Sequence, residues 1–533
     1  MMCHGEHLFV GIMESDSYKN LELSISAFAG VTRISGLSQL LEERGKQLTA
    51  LPEMKGFEPD KRIRIIQTID PDEPLSEINP ANIAIFTTRD GGKAIEDMLA
   101  ATYRKQTYWR SHISIYDKPF STNVVPDVAF MQEGQYILTS RNKNALLWIS
   151  QNKKLLKAAP LKQSGTLKLL LNPQRVAAVL NAKSDPDILK IFKLVEILQE
   201  LESCTAGLTI DTQSLIITFQ AKALSGSPLA TLAKNLKSAN SKQPDITPPN
   251  SFLQSISNCE APDIWNRFAI NLQNYVIPAF NEINHKELFT GKRTQYFAPT
   301  PKGRGMVFVQ SDGIKNKDSV TKMINTLESF TPANAQIKLE MQNAEAEDKC
   351  TRYKLILKES NKEERQTSVY YTAASLFLQH AWLEMQIVDD NLISVVGPKN
   401  SIDDVVKNLN TQKKELSILN EIAARNEDIE NEIFCGTKIQ ILGALRHTAS
   451  IIPKITKEQL QILPKPGYGI TFGLNKSEST KLTASLQISA DEISALTHIG
   501  NDARNLMQKL LMSMLMEKIE KAQAPKKNNI LQQ

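Results

Sequence analysis

The chain has 533 residues, 41% hydrophobic and 23% charged, a balance that excludes wholesale disorder and a length that calls for more than one core. Its 63 basic and 58 acidic residues leave a net charge of +5 over a large surface, which excludes a dedicated nucleic-acid footprint. No apolar run reaches the ~20 residues of a membrane-spanning helix, and five separated cysteines (Cys3, Cys204, Cys259, Cys350, Cys435) outline neither a disulfide framework nor a zinc site.

In chain order, Leu8 to Met13 reads as a buried strand that begins straight after the N-terminal residues, so no signal peptide is expected in this numbering. Tyr18 to Leu51 has helical periodicity, with a break near Gly36. Ile63 to Ile69 and Ile83 to Thr87 read as strands about a turn containing Pro71, Pro74 and Pro80. Asp90-Gly91-Gly92 turns into a helix carrying Ile95, Met98 and Leu99. Tyr108 to Tyr116 alternates as a strand, and Val128 to Ser140 reads as a hairpin about Glu133-Gly134. A short helix from Ala145, a strand at Leu167 to Leu171, a helix after Pro173 and an apolar helix over Asp187 to Leu201 follow.

Gly207 to Leu236 is the clearest unit. Leu208 and Ile210 alternate with Thr209 and Asp211, and Leu215, Ile217, Phe219 and Ala221 alternate with Ile216, Thr218, Gln220 and Lys222. These predict two antiparallel strands joined at Asp211-Thr212-Gln213-Ser214. Ser227-Pro228 then supplies an N-cap and a first helical residue.

Lys237 to Ser251, polar and carrying three prolines, reads as a linker. After it the order restarts: a strand at Phe252, helical periodicity over Ile264 to Ile283, a strand at Gly305 to Gln310, and Asp312-Gly313 before a helix with Val320, Met323 and Ile324. Two strands (Ile337 to Met341, Tyr353 to Leu357) and a hairpin about Asp389-Asp390-Asn391 follow. A helix at Ile402 to Leu409 precedes a strand-to-helix step at Ile439. The closing unit repeats the earlier one. Gly469, Ile470, Thr471 and Phe472 stand in for Gly207, Leu208, Thr209 and Ile210. Leu482, Ala484, Leu486 and Ile488 restate the second strand, and Ser489 with Glu492 forms a capping box.

The expected architecture is therefore α+β in two related halves, each a mostly antiparallel sheet with helices packed on one face. The boundaries are 1–236, a linker at 237–251, a second module at 252–521 and a polar tail at 522–533. The element order resembles a group of uncharacterised bacterial envelope proteins built from tandem α/β modules. The residues that carry the resemblance are His7 to Gly11, Ile69-Asp70 with Pro74, Ala84-Ile85-Phe86 with Asp90, and Ile137 to Ser140. The resemblance implies export to the periplasm or cell envelope and a role in binding or assembly; a genuine start at Met1 implies the cytoplasm instead.

Residues that could carry chemistry have a structural reading beside them. Cys3, His4, Glu6 and His7 offer metal-ligand types at short spacing, but no second cluster completes a site, and a frayed terminus is expected. Asp90-Gly91-Gly92-Lys93 could bind phosphate at a helix start but lacks the P-loop pattern; it and Asp312-Gly313 read as turns and caps. Lys302-Gly303-Arg304-Gly305 reads as a solvated turn. His112, His285, His380, His447 and His498 have no partner at nucleophile or ligand spacing. The C-terminal segment with Leu506, Met507, Leu510, Leu511, Met514, Leu515 and Ile519 reads as a helix packed on the second sheet, its extra methionines offering a contact surface for a partner or lipid. No catalytic, cofactor or metal residue is assigned. The reading is a non-catalytic binding or envelope-associated protein whose partner is a protein or an apolar ligand. Its alternatives are a hydrolase or transferase with a site between the halves, and a carrier of lipid or another apolar ligand.

Overall fold

A computed structural model describes residues 8–34, 36–70, 80–108, 112–118, 127–183, 194–236, 251–260, 284–300, 305–330, 337–342, 350–357, 381–409, 433–450, 460–461, 469–478 and 480–497. The N-terminal cluster at Cys3 to His7, residues 237–250 of the linker, the 302–304 loop, the helical pattern at 264–283, His380, His498 and the Met-rich C-terminal segment lie outside these residues.

The first part of the chain runs β1 (Leu8–Ser15), α1 (Tyr18–Thr32), α2 (Leu37–Thr49), β2 (Ile63–Ile69), β3 (Ala81–Thr87), α3 (Lys93–Thr102), β4 (Arg104–Tyr108) and β5 (Ile113–Asp117). It continues through β6 (Val128–Glu133), β7 (Tyr136–Ser140), α4 (Lys143–Gln151), α5 (Lys153–Leu156), β8 (Leu167–Leu171), α6 (Pro173–Lys183) and α7 (Leu194–Gln199), and ends with β9 (Leu201–Ile210), β10 (Ser214–Ala223) and α8 (Pro228–Asn235). The second part runs β11 (Leu253–Asn258), α9 (His285–Leu288), β12 (Phe289–Pro299), β13 (Met306–Ile314), α10 (Lys317–Thr326), β14 (Ile337–Met341) and β15 (Thr351–Leu357). Then come β16 (Trp382–Val388), β17 (Asn391–Gly397), α11 (Ser401–Leu409), β18 (Ile433–Ile439), α12 (Ile441–Ser450), β19 (Ile470–Glu478), β20 (Lys481–Ser489) and a closing helix at 490–497.

All described strands belong to one mixed-helix, antiparallel assembly, an α+β architecture. The pairings of the first part give the spatial order β4-β5-β6-β7-β3-β2-β1-β8-β9-β10. Those of the second give β14-β15-β16-β17-β13-β12-β11-β18-β19-β20. The two series meet at an antiparallel β10–β20 pairing, from Ser214 opposite Ser489 to Lys222 opposite Lys481. A 20-stranded sheet results, with β4 and β14 at its ends among the described residues.

The expectation of helices on one face is corrected by the packing. On β3, Ile83 and Ile85 pack with Ala145, Leu146 and Ile149 of α4, while Ala84 and Phe86 pack with Ile95 and Leu99 of α3. Neighbouring residues of a strand point to opposite faces, so helices cover both. The second part shows the same arrangement. Val320, Met323 and Ile324 of α10 pack with Phe308 and Val396, and Ile402 and Val405 of α11 pack with Val307, Val309 and Val395. The strands here are near-continuous apolar runs, the pattern of a sheet buried on both sides.

Three local expectations also change. Tyr108 to Tyr116 is not one strand: β4 and β5 pair as a hairpin, Tyr108 opposite Ile113. The apolar helix expected to reach Leu201 ends at Gln199, because β9 begins at Leu201, opposite Ala223 at the end of its ladder with β10. Asp312 is not a helix cap. It lies in β13 and pairs with Arg293 Nε at 2.6 Å, and Asn316 caps α10 by accepting from Ser319 N.

The flanks of the sheet are tightly covered and its centre less so. Ile83 and Ala84 are fully buried. Leu208, Ile217, Leu486 and Phe472, aligned across β9, β10, β20 and β19, are only half-buried, and Phe219 beside them is 37% exposed.

Candidate functional site

The ends of the central strands carry the candidate site. In the β9–β10 turn, Asp211 Oδ1 accepts from Gln213 N and Ser214 N, both at 2.7 Å, so the carboxylate fixes the turn. Across the joint, Ala490 N donates to Gln213 O at 2.7 Å and Ser489 N donates to Gly469 O at 3.2 Å. Gly469 has φ +80°, and a Cβ there would overlap the Ile439 carbonyl oxygen, so only glycine fits this corner. Ser489 caps the closing helix by accepting from Glu492 N at 3.2 Å. The expected capping box is not closed, because the Glu492 carboxylate turns to α12 and its Oε1 accepts from Leu442 N at 3.1 Å.

A cavity of about 470 Å³ opens at this joint, walled by Ser214, Gly469, Thr471, Gln487, Ser489 and Asp491, with Val31 of α1 opposite. The side-chain amide oxygen of Gln487, Oε1, is buried without a hydrogen-bond partner. A second, more open cavity of about 520 Å³ lies toward the start of α1, walled by Ser15, Asp16, Asn20, Ser24, Thr166 and Thr209, with Leu23 and Gly165 among the residues lining it. Among the described residues no basic side chain lines either cavity. Lys168 Nζ, 2.6 Å from Asp16 Oδ2, offsets the acid of the second one.

The loop from 157 to 166, which forms part of the second cavity, is pinned from below. Glu14 and Arg64 face each other across β1 and β2, their side chains 0% and 3% exposed, with Arg64 Nη2 2.6 Å from Glu14 Oε2. Arg64 also donates to the carbonyls of Leu155, Ala158 and Ala159, and Glu14 Oε1 accepts from Leu161 N at 3.0 Å. The loop then crosses β9 at Gly207, where a Cβ would overlap the Ser164 carbonyl oxygen.

Other ionisable groups are committed to partners. Glu384, fully buried on β16, accepts from Arg352 Nε at 3.1 Å and from the amides of Asn400 and Ile402, so one carboxylate ties three segments. Asp90 Oδ2 accepts from Ala94 N at 2.7 Å and Oδ1 from Gly92 N at 3.1 Å; these amides, that of Ala94 foremost, hold its carboxyl below the usual range. The turn-and-cap reading of Asp90 thus describes its bonds. Burial pushes the Cys204 thiol up to about 11 and the Cys435 thiol up to about 12, and buried cysteines of this kind are inert.

His112 sits in a turn at φ +56°. His285 is buried in α9, its ring 5.7 Å from Phe289. His447 stacks on Phe252 at 5.5 Å, with its Nε2 3.3 Å from Gly305 O. The structure places them on separate elements, away from both cavities. Sequence reasoning missed Gln487, Glu14 and Glu384. A lone acid within an apolar strand, as at Glu14 and Glu384, was the available signal for two of them.

The chain matches no protein-family model, no curated protein and no solved structure. Among the described residues no helix is long and apolar enough to cross a membrane.

Proposed function

We propose that the chain is a non-catalytic binding protein, built by duplication of one ten-stranded module, whose ligand site is the joint between the two copies. The duplication is supported by the strand order, which is the same in both series. It is also supported by the ladder at the joint. Ala223 N donates to Thr480 O at one end and Ala490 N to Gln213 O at the other, with Thr218 facing Ser485 midway. The same shift along the chain carries Gln213 to Thr480, Thr218 to Ser485 and Ala223 to Ala490, as a two-fold axis through that pair requires. The modules correspond to 1–236 and 252–521.

The observation that carries the binding reading is the polar cavity at this joint, with a buried amide oxygen in its wall that no protein group satisfies. The buried charges elsewhere are spent on pairing and capping. Export to the periplasm or cell envelope belongs to the same proposal and rests on the resemblance of element order. Native mass spectrometry of gently purified full-length protein tests the binding reading. A bound non-protein mass, lost from Val31→Arg, is the expected result. Turnover of hydrolase or transferase substrates that co-purifies with the protein refutes it.

A second reading, carriage of an apolar ligand, is favoured by the half-buried row Leu208, Ile217, Leu486 and Phe472. In that case the bound mass is a lipid and survives Val31→Arg, which alters the other site.

A further inference from the structure

We infer that the two cavities are neighbouring subsites of one trough along α1, and that the trough takes a neutral saccharide. This rests on the binding reading above and names the ligand class for that site. The trough follows from placement. The β9–β10 hairpin supplies Thr209 to one cavity and Thr212 to the other, and α1 supplies Asn20 and Ser24 to one and Val31 to the other.

The wall chemistry selects the ligand. Most side chains that line the trough are hydroxyls and amides, each able to donate or accept. A saccharide presents hydroxyl groups with the same double capacity, so donors and acceptors can be satisfied on both sides. An anion would find no cation on the wall, since Lys168 is spent on Asp16, and Asp491 would repel it. A fatty chain would cover the Gln487 side-chain amide oxygen without giving it a partner. Among the described residues that line the two cavities, Gln487 carries the buried side-chain oxygen without a partner, and a sugar hydroxyl supplies the donor. Leu23 and Val31, 59% and 46% exposed, stand on the α1 side as apolar contacts for the C–H faces of a sugar ring. Both volumes lie within the range of small-ligand sites.

The test uses the full chain and a panel of neutral mono- and oligosaccharides, with an alkyl amine and a fatty acid as comparison probes, read by saturation-transfer NMR and calorimetry. Two variants accompany the wild type: Gln487→Leu, which removes the acceptor, and Val31→Arg, which fills the trough from an exposed helix position and does not depend on core packing. A saccharide that binds the wild type and is weakened about tenfold or more by each folded variant supports the inference. Saccharide binding unchanged by Val31→Arg overturns the site. Binding of the amine or the fatty acid alone, lost in Val31→Arg, overturns the saccharide class and leaves the binding reading standing. No binding by any probe, together with no bound mass in the native protein, overturns both.

Discussion

Replacing Arg64 with Met should be among the most damaging single changes in the first part of the chain, and the structure allows the cost to be worked out. The guanidinium is 3% exposed and spends its donors on Glu14, on the Leu155 carbonyl of α5 and on two carbonyls of the loop above it. Without it the fully buried Glu14 carboxylate keeps one amide partner, Leu161 N. Removing one member of a buried pair costs about 3–5 kcal/mol, because the other is left as an uncompensated charge. Arg62 Nη1 stands 3.8 Å from Glu14 Oε2 and its side chain is 26% exposed, so it can move inward, which sets the expectation near the lower end, ~3 kcal/mol. Glu14→Gln keeps the shape and the Leu161 bond but leaves the Arg64 charge without its counter-ion; three carbonyls still accept from the guanidinium, so the cost should fall near or just below the lower end of that range, about 2–3 kcal/mol. In the double variant there is no stranded charge, so the two costs should fall short of additivity by more than ~1 kcal/mol. Urea denaturation of the four proteins measures the cycle, and hydrogen exchange over residues 155–166 reports whether the loop is released. An Arg64→Met cost below ~1 kcal/mol, or an additive double variant, would show that the pair does not hold the loop as argued.

Four further outcomes follow from single contacts. Gly207→Ala must displace the loop at Ser164 and should cost about 1–3 kcal/mol, where an open strand position would gain from alanine; the midpoint of chemical denaturation decides. Ile217→Pro removes a ladder donor near the centre of the β10–β20 joint, since the β10 amides that face β20 are every second one counted from Ala223, and calorimetry should then show the two sides of the joint unfolding in separate transitions where the wild type shows a coupled one. The Cys435 thiol, raised from 9.0 to about 12 by burial, disfavours the thiolate in the fold. Its contribution to stability is therefore complete below pH 9 and is lost as pH rises from there toward 12; native alkylation at pH 8 should be slow, and labelling as fast as in urea would contradict the burial. Ser227→Ala deletes the cap that accepts from Ala230 N and should lower stability by about 1 kcal/mol, measurable as a shift in Tm.

Much of this fold was legible because side-chain alternation is a local signal. The β9–β10 unit was read from Leu215, Ile217, Phe219 and Ala221, and its helix from Ser227-Pro228. Under the proposed duplication Leu482 takes the place of Leu215 and Ile488 that of Ala221, since Leu215 faces Ile488 while Ala221 faces Leu482. The first strand was matched on the right face but at the wrong register. Leu208 faces Ile217 and Leu474 faces Ala484, so Leu474 rather than Ile470 takes the place of Leu208. Alternation fixes a face, whereas register depends on turn length and on partners far away in sequence. The covering of both faces was missed for the same reason: α3 and α4 are each ordinary amphipathic helices, and nothing local says that they lie on opposite sides of β3. The candidate site was not legible at all. Gln487 reads as a solvent-facing strand residue until the turn at Gln213, the corner at Gly469 and the side of α1 are brought around it.

The joint between β10 and β20 also imposes an order on synthesis. β10 is complete when the first part of the chain leaves the ribosome, but the strand that covers its edge is the last made among the described strands. At roughly 5–20 residues per second the edge waits on the order of tens of seconds. During that time Leu215, Ile217 and Phe219 sit on a strand paired with β9 on one side and open on the other, a template for any other extended chain. Under the proposed duplication β10 and β20 are equivalent strands, so the partner that fits best is the β10 edge of a second nascent copy, with Thr218 opposite Thr218. Chains made close together on one message should therefore be prone to exchange modules, and crowding of ribosomes would set the yield of monomer.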